Sequence, residues 1–121
     1  MLREIKTNSY HYFLDEKGLF QGEYKSYHEN GHMYVHTFHK DDNIHGEYKS
    51  YFRNGHMWEH VLYQNGVEHG EYKQYQRNGK LRHATFYYQG IDLKVDPDTL
   101  TEQDRVYIMM SGRLPIREKT V

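Results

Sequence analysis

Aromatic and polar residues are interleaved along most of this chain, apolar rows falling on both faces of any strand, and the pattern returns every 24 residues. Gly22-Glu23-Tyr24-Lys25-Ser26-Tyr27 recurs unchanged at Gly46-Glu47-Tyr48-Lys49-Ser50-Tyr51 and with one change at Gly70-Glu71-Tyr72-Lys73-Gln74-Tyr75. Asn30-Gly31, Asn54-Gly55 and Asn78-Gly79 advance in step. A second turn series, Lys17-Gly18, Asp41-Asp42, Asn65-Gly66 and Gln89-Gly90, lies between them. Each unit therefore predicts two strands and two tight turns, because Asn-Gly reaches the positive φ angles of two-residue hairpin loops at little steric cost. The fold class predicted is mainly β: a single-layer antiparallel meander of about 3.5 repeats.

If Asn30-Gly31 is a two-residue loop, Tyr27 pairs with Tyr34, Lys25 with His36 and Glu23 with Phe38. One face then carries Tyr27, Tyr51, Tyr75, Tyr34, Trp58, Phe38, Leu62 and Phe86. The other carries Tyr24, Tyr48, Tyr72, Met33, Met57, Leu81, Val35 and Val61. A bulge at the turn would move the register by one and exchange the faces beyond it. Glycines 22, 46 and 70 fall inside strands, which implies either a ring lying over bare backbone or a repeated bulge. The Glu23/Lys25, Glu47/Lys49 and Glu71/Lys73 rows predict cross-strand ion pairs that keep the sheet from stacking edge to edge.

The termini depart from the repeat. Residues 8–16 read as a worn half-unit in which Tyr10 aligns with Tyr34 and Leu14 with Phe38. At the other end Lys94-Val95-Asp96-Pro97 replaces the repeat motif, and proline cannot join a central ladder. A short helix is predicted from Asp98 to Ser111, capped by Asp98 or Thr99 and stopped by Gly112. Its apolar side would be Leu100, Tyr107, Ile108 and Met109 or Met110. The organisation expected is a repeat sheet over 1–95 and a helix and tail over 96–121 packing on it, the tail extended beyond Pro115.

Composition changes this picture in three ways. A mean hydropathy of −1.07 would describe a disordered chain if the apolar residues were aliphatic, but 13 Tyr, 5 Phe and 1 Trp supply large rings suited to a thin sheet. A net charge of −1 gives no bulk attraction to nucleic acid or anionic membrane. Absence of cysteine removes thiolate catalysis and Cys-based zinc sites. With no signal-like or membrane-spanning apolar run, a cytoplasmic location is expected.

His45-Gly46-Glu47-Tyr48-Lys49-Ser50-Tyr51 with Arg53-Asn54-Gly55, repeated in tandem over about residues 8–93, resembles the MORN repeat family, and its variant form in particular. The resemblance implies an elongated, single-layer, twisted antiparallel sheet that binds partners without catalysis. Members of that family act as protein-interaction scaffolds, and some are linked to membrane phospholipids. Bacterial proteins built from the variant repeat are often described as antitoxins, and related repeats occur in viral proteins.

The chemistry expected is recognition. Histidines recurring at 32/56, 36/60 and 45/69 stand two strands apart, about 10 Å, too far to share one zinc through bonds of about 2.0–2.1 Å. Ser26 and Ser50 recur with the repeat, which favours a structural role over an active site needed once. No catalytic residue, metal or cofactor is expected. Tyrosine and tryptophan beside Arg and His form the composition preferred at protein contacts. The candidate partner-binding residues are Tyr27, Tyr34, His36, Tyr51, Trp58, His60, Tyr75 and Arg82. A protein partner, met as an antitoxin or inhibitor meets its target, is the first reading. The alternative is a small ligand or nucleotide stacked on the rings and held by Lys25, Lys49, Arg53 or Arg82. Two open edges also leave a homodimer open.

Overall fold

The computed structural model describes residues 1–116. Among them nine strands form one antiparallel sheet in chain order. They are β1 (Arg3–Lys6), β2 (Tyr10–Leu14), β3 (Gly22–Tyr27), β4 (Met33–Lys40), β5 (Asn43–Tyr51), β6 (Met57–Gln64), β7 (Val67–Tyr75), β8 (Leu81–Tyr88) and β9 (Ile91–Asp92). A 3-10 turn, Pro97–Thr99, and a helix, α1 (Glu102–Ser111), follow. The mainly β meander expected from the 24-residue alternation is the fold observed.

The body of each hairpin keeps the predicted register: Glu23 faces Phe38, Tyr24 faces Thr37, Lys25 faces His36 and Ser26 faces Val35. The last pair does not. Tyr27 faces Met33 and not Tyr34, and Tyr51 likewise faces Met57. The cause is the loop. The His28 carbonyl accepts from Gly31 N at 3.0 Å, Gly31 takes φ 90°, and His28 N donates to the His32 carbonyl at 2.8 Å. This is a turn closed by a left-handed glycine, one residue longer than a two-residue loop, and the extra residue becomes a bulge. The two-residue loops are the other series. Asp41-Asp42, Asn65-Gly66 and Gln89-Gly90 carry positive φ at both positions, as hairpin turns of the primed type require.

Asn30 is thus selected for its side chain. Its Oδ1 accepts from His32 N at 3.0 Å while its Nδ2 donates to the Arg53 carbonyl of the next unit at 2.9 Å. Asn54 repeats this toward the Arg77 carbonyl at 2.9 Å, so successive turns are tied side by side.

Two rows of residues cross the sheet on opposite faces. Tyr24, Thr37, Tyr48, Val61, Tyr72 and Thr85 face one another in sequence, so Tyr48 and Tyr72 each stand between β-branched neighbours, while Tyr24 has Thr37 on one side and the Tyr12 ring on the other. Thr37, Val61 and Thr85 are 1–3% exposed, so this row is the buried centre of its face; Phe86 and Ile108 are buried outside it. The opposite row runs Lys25, His36, Lys49, His60, Lys73, Ala84. Here the cross-strand partner of glutamate is histidine: His36 Nε2 donates to Glu23 Oε2 at 2.8 Å, while Lys25 reaches Glu23 along its own strand at 3.6 Å.

The strand glycines are bulges. Phe38 stands opposite His45, Gly46 and Glu47, and Leu62 opposite His69, Gly70 and Glu71, because register moves by two between the flanking pairs. No ring covers them; Leu62 lies against Gly70.

Both ends differ from the sequence reading. β1, which the repeat did not foretell, pairs with β2, and His11 Nε2 meets Glu4 Oε2 at 2.7 Å. Tyr10, not His11, faces Ser26, whereas Val35 faces Ser50, so the first half-unit is offset by one from the 24-residue step. At the C-terminus Asp96 caps the 3-10 turn, and Thr101 caps α1 through a reciprocal box with Asp104. The helix therefore starts later than predicted, while Gly112 stops it in the left-handed conformation as predicted. Only Ile108 of its expected apolar side is buried; Tyr107 and Met110 are exposed. Arg105 Nη2 donates to Glu71 Oε1 at 3.1 Å and to the Pro97 carbonyl at 2.6 Å, and Lys73 reaches Asp98 at 3.2 Å. The unit that has Ala84 in place of His36 and His60 thus receives its cation from the helix. The expected extended tail past Pro115 falls largely on residues 117–121, outside the described residues.

Acid should unfold the protein in two stages. Burial against Phe20 and Tyr24 holds His39 below its ordinary 6.5. The hydrogen bond from His36 holds Glu23 below its ordinary 4.5. Glu47 is also lowered: its burial, which raises it, is outweighed by Lys49 and His60. In each case the unfolded chain binds more protons, so stability present above the ordinary value is lost as pH falls through the folded one. Denaturant melts should show a decline starting below pH 6.5 that His39→Phe flattens. A steeper decline should start below 4.5, and Glu23→Gln should reduce it. Constant stability between those two values would refute the His39 assignment.

Candidate functional site

The longer turns gather side chains at one end of the sheet. Residues flanking each turn meet across it: the His28 and Tyr34 rings lie 4.5 Å apart, and the equivalent Phe52 and Trp58 stack at 5.5 Å with 25° between planes. His28 Nε2 donates to the Tyr51 carbonyl at 2.8 Å, seating the first ring pair against the second unit. A concavity of about 480 Å³ opens there, lined by His28, Tyr34, Tyr51, Phe52, Arg53, Asn54, Trp58 and Arg77. A second, of about 590 Å³, adjoins it and shares Phe52, Trp58 and Arg77, adding Tyr75, Gln76 and Arg82. Together they form a groove that follows the turns from the first unit to the third, with the Phe52–Trp58 stack at its middle.

Of the residues proposed from sequence, Tyr34, Tyr51, Trp58, Tyr75 and Arg82 line this groove. Tyr27, His36 and His60 do not. Tyr27 shares the bulge of Tyr51 and Tyr75 but lies before the first of the longer turns, and the two histidines lie in the charged row, His60 Nε2 3.3 Å from Glu47 Oε1 without hydrogen-bond alignment. His28, Phe52 and Arg77 went unnoticed. A signal was available: His28/Phe52/Gln76 and Glu29/Arg53/Arg77 are equivalent positions just before each Asn-Gly, and these are the positions that vary.

The family model for the MORN repeat variant matches residues 20–41, 44–65 and 68–89, more than half of the chain. The chain belongs to the MORN repeat variant family. No curated protein and no solved structure matches it. MORN repeats are associated with binding to proteins and membranes and are typically non-enzymatic. Among the described residues no helix is long and apolar enough to cross a membrane.

Each matched MORN unit contributes one longer turn to the groove. Tyr72 donates to Glu59 Oε2 at 2.5 Å, and burial with that bond pushes its phenol well above 10; burial and Glu68 push Tyr63 up to about 12. These phenols stay protonated; both pack within the sheet, and Tyr72 serves as a hydrogen-bond donor. Ser26 and Ser50 are buried, and among the described residues no hydrogen bond joins either to a histidine. No group of three His, Asp or Glu converges among the described residues.

Proposed function

We propose that this MORN protein is a non-enzymatic binding module that captures a protein partner in the groove centred on Trp58. The observation that carries this reading is the clustering of Tyr34, Tyr51, Phe52, Trp58, Tyr75 and three arginines in adjoining concavities. Trp, Tyr and Arg are the side chains that dominate binding energy at protein contacts, where rigid rings fill partner pockets at small entropic cost. The tyrosine row of Tyr24, Tyr48 and Tyr72 packs on a flat sheet face, whereas the groove gathers its rings around a concavity with arginines beside them. An inhibitor or antitoxin that masks its target is the specific form of this reading, supported by the family alone.

Affinity capture from the source cells should recover one stoichiometric partner. Trp58→Ala should release it, a loss of about a hundredfold in affinity if the residue is a hot spot of about 2–4 kcal/mol. Its circular dichroism should stay that of the parent chain. Co-expression of the captured protein then tests inhibition directly. Undiminished capture by Trp58→Ala would overturn the proposal.

A further inference from the structure

The groove has a polarity that its aromatic content does not explain. No carboxylate lines either concavity. Arg53, Arg77 and Arg82 enter no ion pair among the described residues, although acids outnumber bases 17 to 16 over the chain. On the sheet face Lys25, Lys49, Lys73 and Arg105 each have a carboxylate within 4 Å. The groove instead sets three unpaired guanidinium groups beside aromatic rings, with no carboxylate in its lining.

The repeat shows how this basic lining is made. The position occupied by Arg53 and Arg77 is Glu29 in the first unit, and the position of Tyr34 and Trp58 is Arg82 in the third. Charge thus changes sign at the first turn, and aromatic gives way to basic at the third. One end of the groove is His28, Tyr34 and Tyr51; the other is Tyr75, Arg77 and Arg82.

We infer that the occupant of this groove is an extended acidic segment of a partner protein, with an apolar side chain seated on the Phe52–Trp58 stack and carboxylates running toward the third unit. This rests on the proposed function and specifies its partner. Spacing favours a peptide chain over a single phosphate group. Arg53 and Arg77 belong to units two strands apart, so their backbones are separated by about 10 Å, the length of about three extended residues. Carboxylates about three residues apart would meet both. Guanidinium forks bind carboxylates in bidentate fashion, and ring faces beside them remain free for the apolar anchor.

The chain reports on its own groove, since Trp58 is its one tryptophan. The probe is a synthetic peptide of about eight residues with one phenylalanine followed by two glutamates at three-residue spacing. It should change Trp58 fluorescence saturably, and more weakly as salt is raised. The double variant Arg77→Glu/Arg82→Glu, both positions exposed, should weaken this by about tenfold or more with an unchanged melting temperature. A peptide with lysines for glutamates should leave the signal flat. Equal response to the lysine peptide overturns the inference. So does absence of saturation by the glutamate peptide, or a response to adenosine diphosphate or phosphatidylserine vesicles in its place. The two proposals fail separately. A captured partner lost by Trp58→Ala but kept by the double arginine variant would sink the acidic segment alone; one kept by Trp58→Ala would sink the groove.

Discussion

Gly70→Ala is expected to lower the unfolding free energy by about 2–3 kcal/mol. Gly70 has φ 123°, a backbone conformation that only glycine adopts without strain. A methyl group there would also stand 2.9 Å from Leu62 Cδ1 and 3.2 Å from Leu62 Cβ. The Cδ1 can swing away, but the Cβ is fixed to the opposite strand and cannot. Gly46 provides the control, because its φ is 103° and a methyl would meet nothing within 4 Å. Gly46→Ala should therefore cost only the backbone strain, about 1–2 kcal/mol. Urea unfolding of the two variants separates strain from contact. Equal losses would mean that the approach of Leu62 contributes nothing, and a loss smaller at Gly70 than at Gly46 would contradict the bulge geometry.

Phe86→Ala should cost about 3–5 kcal/mol, whereas Phe38→Ala, one of its two equivalents in the repeat, should cost less than about 1 kcal/mol. The letter and strand position are the same, but Phe86 is 2% exposed and Phe38 is 38% exposed. The difference comes from the C-terminal segment. Arg105 lies over the Phe86 ring at 6.0 Å while bonding Glu71, and Ile108 of the same helix is wholly buried. Truncating the phenylalanine leaves a cavity that backbone relaxation fills only in part. Because the helix buries only Ile108, it has few other apolar contacts with which to stay docked. Phe86→Ala should therefore also release it, read as faster proteolysis near residues 102–111. Matched losses for the two phenylalanines would show that the helix does not shield the last unit.

Much of the fold was legible because pairing in a meander is a local matter. Strand positions, the body of the register and the limit of the repeat at residue 93 followed from letters a few residues apart. The turns were legible only in place. Asn-Gly is the strongest short hairpin signal, yet here the asparagine side chain ties one unit to the next, a contact 23 residues away in sequence. The loop gains a residue, and a bulge at the turn end of each hairpin results.

The site divides in the same way. Tyr34, Tyr51, Trp58, Tyr75 and Arg82 were recognisable as exposed ring and guanidinium chemistry recurring once per unit. His36 and His60 share that recurrence but stand near Glu23 and Glu47 in the charged row, which spacing alone does not reveal.

The sequence by itself determined a 24-residue repeat of paired strands, the belonging to the MORN repeat variant and the glycine that stops the helix. It could do so because a β-ladder and a helix cap are specified by neighbours. Only the tertiary structure decided which rings are used in packing and which are free, because identical repeat letters are covered in one unit and bare in another. It alone brought Arg53, Arg77 and Arg82 together away from any carboxylate. That arrangement depends on where turns 24 residues apart come to lie, and electrostatics acts through space.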